Sequence, residues 1–283
     1  MKRIVAVLLA GCMFLFAGCT CSGIIRYADA DKYTPGGFTY EAEKITAVDV
    51  DWSAGGITLK NGSGTLSVSE SGGDSLKEED RLYWWIDGTT LRIRFCKSGH
   101  LSTVKASDKH LTLELPDFVD LDVDIASGKI EAEGMLNLGE LNVDTASGGM
   151  ELQNLFAKQA SIDSASGGLH ITNASVTGAF EVDSASGALT VEQISADSVK
   201  IDSASGGIVL GIGTVNSVKI DSASGGITIR LQSAERGAQV RIESVSGSVN
   251  VKLPNEKDGN TYRIGSGECK IEIDSVSGGV TVE

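Results

Sequence analysis

From Ile45 onward the chain alternates apolar and polar residues in short runs, a period of two that predicts β-strands and not helices. Val48, Val50 and Trp52 share one parity, with Asp49 and Asp51 on the other. Lys109-His110-Leu111-Thr112-Leu113-Glu114-Leu115 alternates in the same way and ends at Pro116. Between these runs, Leu82-Tyr83-Trp84-Trp85-Ile86 and Leu91-Arg92-Ile93-Arg94-Phe95 flank Asp87-Gly88. Asp-Gly between two β-rich runs predicts a hairpin.

Beyond Pro116 the alternation becomes a repeat. Close copies of Asp202-Ser203-Ala204-Ser205-Gly206-Gly207 recur, centred on Ser127, Ser147, Ser166, Ser186, Ser205, Ser224, Ser246 and Ser277. From Ser127 to Ser224 the spacing is nearly constant, and a sustained period of that size is the signature of stacked units that bury their apolar sides against one another. Asp51-Trp52-Ser53-Ala54-Gly55-Gly56-Ile57 is a degenerate early copy. The predicted fold is all-β: a single-stranded parallel β-helix, or β-solenoid, with one motif copy per coil. The hairpin is expected to cap its first open edge, and the last edge, where no cap is evident, to be irregular or covered by a partner.

Each motif is predicted to be a corner. Ile201 and Ile208 have opposite parity, so alternation puts both inside only if the chain bends once between them. Because the motif Ala is replaced only by Val245 and Val276, we expect the bend at Asp202-Ser203 and Ala204 turned inward. Gly128, Gly148, Gly167, Gly187, Gly206 and Gly225 hold the tight position, whereas the next position accepts Lys129, Ala188 and Ser248. Close approach of neighbouring coils at the first of the two accounts for that difference.

The same stacking lines up Asp124, Asp144, Asp163, Asp183, Asp202 and Asp221. Carboxylates about 5 Å apart repel by roughly 0.8 kcal/mol per pair even in water, so corner N–H groups or serine hydroxyls are expected to offset them, as in Asx-turns. A row of Ca²⁺ sites is the alternative, since these are hard-cation ligands, but the spacing lacks the Gly-Gly-x-Gly-x-Asp pattern of calcium-binding β-rolls. We therefore predict no metal and no cofactor. A carbohydrate-active β-helix enzyme is the rival class, with carboxylates and cations gathered on one face. Residues 117–230 carry 16 acidic and 5 basic side chains, so a cationic clamp for an acidic sugar is missing. His170, between Leu169 and Ile171, reads as a surface strand position. No catalytic residue is predicted.

The N-terminus sets the compartment. Lys2 and Arg3 precede an apolar run from Ile4 to Ala17 that ends in Leu15-Phe16-Ala17-Gly18-Cys19, the layout of a secretory signal and too short for a comfortable membrane span. We read residues 1–18 as a lipoprotein signal with Cys19 lipidated; Leu9-Ala10-Gly11-Cys12 offers Cys12 as the alternative. Residues 19–44 read as a tether, 45–116 as an N-terminal β region and cap, and 117–283 as the solenoid repeats. Cys96 and Cys269 are expected to be free thiols. The expected location is the outer face of the cell membrane, lipid-anchored.

Net charge narrows the partners. At −14 the chain lacks the clustered Lys and Arg that a nucleic-acid backbone requires, and attachment to a membrane must come through the lipid. The hairpin concentrates Tyr83, Trp84, Trp85, Arg92 and Arg94, which makes it the candidate contact for an envelope protein or glycan.

The ordered set Tyr33-Thr34-Pro35-Gly36-Gly37, Val48-Asp49-Val50-Asp51-Trp52, Asp87 to Cys96, Leu113-Glu114-Leu115-Pro116 and the Asp-Ser-Ala-Ser-Gly-Gly copies resembles the bacterial "putative adhesin" family, a domain of unknown function with β-strand repeats. The resemblance covers roughly residues 40–283. It implies a right-handed single-chain β-helix outside the cytoplasmic membrane, linked in some relatives to adhesion or envelope-stress signalling, and brings no catalytic residues. The tether resembles versions from Gram-positive bacteria. The family's usual Ser-Gly-Asp stands here mostly as Ser-Gly-Gly.

Overall fold

The computed structural model describes residues 24–41, 44–72, 75–102, 104–105, 109–233 and 236–283. The signal at 1–18, Cys12 and the Cys19 lipidation site lie outside the described residues. Strands dominate, and among the described residues there is no α-helix. The described chain forms two compact units, 24–157 and 158–283.

In the first unit, Ala47–Trp52 is the central rung of a parallel ladder. Thr90–Arg94 lies on one side of it and Val119–Ser127 on the other, followed by the second half of Ile130–Ser147. A second parallel ladder runs Leu111–Leu115, Ile57–Asn61, the start of Ile130–Ser147 and Met150–Ala157. Alternation sends one parity inward: Val48, Val50, Leu91, Ile93, Leu121, Val123 and Leu141 are all buried. Each such side chain contributes about 1.5–3 kcal/mol through burial.

Antiparallel strands close the N-terminal side of this unit. Tyr83–Asp87 pairs with Thr90–Arg94 as the predicted hairpin. Two stretches of the segment read as a tether are themselves strands: Thr34–Pro35 pairs with Tyr83 and Trp84, and Phe38–Glu41 pairs with Thr65–Glu70.

In the second unit the rungs stack with the repeat. Asp163 faces Asp183, and Asp183 faces Asp202, each its counterpart in the next motif copy. Val182, Ile201, Ile220 and Ile273 form one inward column, and Leu189, Ile208, Ile227 and Val280 another. The far end, where an irregular or partner-covered last edge is expected, does not stack in sequence order. Cys269–Ser277 instead inserts between Ile208–Ser224 and Ala238–Ser246, bonding to both. The outer rung is therefore 238–251, and the insertion before the last repeat folds over it: Thr261–Ile264 pairs antiparallel with Ala238–Arg241 and carries Glu256–Asp258 beside it. The inner rung carries Asp274 and Gly279 where the outer rung has Glu243 and Ser248.

The corner also needs correction. Alternation continues through Ser203, which is buried while Ala204 is only partly so, and the strand Leu189–Ser203 ends there. The bend thus falls after Ser203 and not at Asp202-Ser203, with the serine and not the alanine inward. Ser222 and Ser275 repeat this arrangement. In the first unit the equivalent inward position is held by Trp52, Ile125 and Thr145, all buried. At Gly206, φ is +135°, its N–H donates to the Ser224 carbonyl at 3.2 Å, and an added Cβ would lie 1.9 Å from the Gly187 carbonyl oxygen. Only glycine fits so close a backbone approach.

Candidate functional site: carboxylate columns and their arginine end

Parallel in-register pairing converts one acidic position per rung into a column. In the first unit Asp51, Asp124 and Asp144 stand side by side, and Asp49, Asp122 and Asn142 form the column next to them. The hairpin strand on the other side of Ala47–Trp52 places Arg92 opposite Asp49 and Arg94 opposite Asp51. Both guanidinium groups turn to Asp49. Arg94 Nη1 donates to its Oδ1 at 2.6 Å and Nη2 to its Oδ2 at 3.2 Å, while Arg92 Nη1 donates to Oδ2 at 2.5 Å. Arg92 also meets Asp87 at 3.2 Å.

The electrostatics follow from that end point. Burial disfavours a charged Arg94, but the hydrogen bonds to Asp49 together with the negative charges of Asp49, Tyr33 and Asp51 outweigh it and raise its pKa. Farther along, the carboxylates face one another. Asp124 is pushed up to about 6, first by burial and then by the negative charges of Asp144, Asp122 and Asp51. Asp51 and Asp122 are raised as well, again mainly by burial, with Arg94 pulling against it.

In the second unit the column runs Asp163, Asp183, Asp202, Asp221, Asp274 and Glu243. Lys200 reaches Asp202, and Lys219 reaches Asp221, each at 2.6 Å. Asp183 and Asp274 are raised chiefly by burial. Among the described residues no group of three or more His, Cys, Asp or Glu is placed to hold a metal ion. The corner glycines share one backbone conformation, with φ between +126° at Gly225 and +143° at Gly128 and Gly148; Gly167, Gly187 and Gly206 lie between.

The hairpin residues separate into two groups. Tyr83 is buried and the Arg94 side chain is 11% exposed, so both belong mainly to the fold. Trp84 stacks on Phe38 with ring centroids 3.9 Å apart, and Trp85 meets the edge of Tyr33 at 5.7 Å with the Lys32 ammonium 4.5 Å from its ring. The N-terminal segment therefore covers part of the aromatic patch. Trp84, Trp85 and Arg92 keep about a third or less of their surface open to a partner. His170 is exposed and contacts Glu192 at 3.0 Å.

Sequence reasoning missed a buried ionic cluster beside the hairpin. Lys109 is wholly buried, 3.1 Å from Glu70, and donates to the carbonyls of Asp80 and Phe95. Asp80 is buried and accepts hydrogen bonds from Ser102 and His100 that outweigh burial and lower its pKa. The signal was parity: Lys109 stands in phase with Leu111, Leu113 and Leu115, and Glu70 with Leu66 and Val68. Cys96 and Cys269 are buried free thiols, each pushed up to about 11 by burial.

The family described as Toastrack DUF4097 matches residues 45–283. Two crystal structures share the architecture. A protein from Bacteroides fragilis described as a putative adhesin is 15% identical, with a TM-score of 0.52 over 92% of this chain and 100% of that one. A second putative adhesin, from Parabacteroides distasonis, is 14% identical, with a TM-score of 0.51 over 89% of this chain and 97% of that one. At such identities the likeness shows the fold. No curated protein matches the chain.

Proposed function

The chain belongs to the Toastrack DUF4097 family, a domain of unknown function, and we propose that it is an envelope protein, lipid-anchored as its Leu15-to-Cys19 stretch suggests, that acts by presenting surface to a partner and not by catalysis. The observation that carries this reading is the outward columns. In the second unit Glu181, Lys200, Lys219, Glu272 and Arg241 align rung by rung beside the acidic column. A surface built of straight ladders repeats its chemistry every rung, which suits an extended partner better than a single reacting atom. The descriptions of the two similar structures as putative adhesins support the same direction.

In this proposal the fold winds right-handed with one motif copy per coil, and a lipid on Cys19 holds it at the outer face of the cell membrane. The open parts of Trp84, Trp85 and Arg92 form one contact surface for an envelope protein or glycan. Labelling cells with a radioactive fatty acid tests the anchor: the label is lost in Cys19→Ala, whereas retained label with loss in Cys12→Ala moves the site to Cys12. Adherence of cells lacking the protein tests the role, with lower adherence expected and unchanged adherence counting against it.

A further inference from the structure

We propose that an open groove in the first unit is a binding site for a neutral, hydroxyl-rich saccharide; this rests on the reading that the protein works by surface binding and names the ligand class. The groove has a volume of about 690 Å³, and its polar floor is Asn61, Asp117 and Asn137. These residues come from three separate places in the chain, and they are locked together. Asn61 Nδ2 and Asn137 Nδ2 both donate to Asp117 Oδ1, at 2.7 and 2.9 Å. Asn61 Oδ1 in turn accepts the Ser63 N–H at 2.7 Å, which fixes that amide's orientation.

The arrangement leaves a specific set of hydrogen-bonding groups open. Asp117 Oδ2 accepts nothing from the described residues, and the Asn137 amide oxygen, the second hydrogens of both amides and the Ser63 hydroxyl are likewise uncommitted. A sugar hydroxyl both donates and accepts, so a pre-oriented mixture of acceptors and donors is its complement. Lys60 is already paired with Glu133 at 2.9 Å, which leaves the carboxylate of Asp117 to repel an anionic ligand. Apolar surface lies alongside: Met135, which lines the groove, is 48% exposed, and Phe156, opposite Asn137 in the strand register, is 44% exposed. Such faces suit the C–H side of a pyranose ring.

Backbone strain points to the same place. Among the described residues three that are not glycine have positive φ: Ser63 at +49°, which lines this groove, Phe118 at +64°, next in sequence to the lining residue Asp117, and Asp29. For a bulky side chain that conformation is an outlier, and strain of this kind gathers at ligand sites. Phe118 adjoins Asp117, is 69% exposed, and is held by its N–H donating to the Asn137 carbonyl at 2.8 Å.

The test uses the full chain in detergent on an array of neutral and acidic oligosaccharides, with affinities for the retained probes measured by calorimetric titration. Neutral glycans are retained and acidic ones are not. Asp117→Leu weakens binding at least tenfold, and His170→Ala, an exposed change in the other unit, leaves it unchanged. Phe118→Gly relaxes the strained backbone, so it melts no lower than the parent and yet binds more weakly; this variant keeps the test decisive if Asp117→Leu does not fold. Retention of no neutral glycan, preference for acidic ones, or equal binding by Phe118→Gly overturns the proposal. Cells carrying Phe118→Gly separate the two readings: full adherence with this variant but low adherence without the protein removes the groove and keeps the adhesion role. Adherence unchanged without the protein, with glycan binding intact, does the reverse.

Discussion

Arg94 stands opposite Asp51 in the strand register, yet its guanidinium donates to Asp49, at 2.6 Å and 3.2 Å to the two carboxylate oxygens. The reach across one outward position lets a single carboxylate neutralise two arginines at the end of the acid columns. Arg94→Ala strands Asp49 beside a single partner and removes a well-shielded contact, and it is expected to cost about 2–3 kcal/mol. Arg92, a third exposed, is expected to cost less than about 1 kcal/mol on the same change. Urea denaturation of the two variants gives both values.

The columns make stability depend on pH with a defined sign. Asp124 titrates near 6 in the fold against an ordinary value of 3.8, and Asp51, Asp122, Asp183 and Asp274 move the same way. The folded state therefore holds protons that the unfolded state has released. That stabilisation is full below about pH 4 and is lost as pH rises through 6. The melting temperature is expected to fall from pH 5 to pH 7.5. Asp124→Asn melts higher than the parent at pH 7.5 and shows a shallower slope.

Adjacent glycines at one corner should respond differently. Gly206→Ala drives a Cβ into the Gly187 carbonyl at 1.9 Å from a φ of +135°, whereas Gly207→Ala meets its nearest neighbour at 3.8 Å. The first is expected to destabilise by more than about 2 kcal/mol, and the second by less than about 0.5 kcal/mol. Ala188 already occupies the equivalent of 207 one rung away. Chemical denaturation of the pair measures the difference.

Lys109 and Glu70 form a buried pair, so removing one partner leaves the other charge uncompensated. Lys109→Met alone is expected to cost about 3–5 kcal/mol, while Lys109→Met with Glu70→Leu recovers most of it. A double-mutant cycle by calorimetry reads the coupling.

Much of the fold was legible because two periods coincide in the chain. Alternation at Val48, Val50 and Trp52 identified a half-buried strand, and the serine spacing set which residues stack, as the pairing of Asp183 with Asp202 shows. The corner was placed one residue early because Ala204 looks apolar and Ser203 does not; parity, which puts Trp52 and Ile125 inward at the same position, decides it. The insertion of the last repeat beneath 238–251 was hidden, since sequence order predicts stacking order only when no rung is skipped. For the site, composition drew attention to Trp84, Trp85 and the arginines. It gave no hint of Asn61, Asp117 and Asn137, which lie far apart in the chain and meet only through register.

The proposed role is binding to an envelope protein or glycan through the protein's surface at the cell exterior. Adherence of cells to glycan-coated beads, compared with and without the protein and with soluble protein added as competitor, tests it most directly. Severalfold lower adherence without the protein and dose-dependent competition by the soluble chain are expected. Equal adherence in both strains, with no competition, would contradict it.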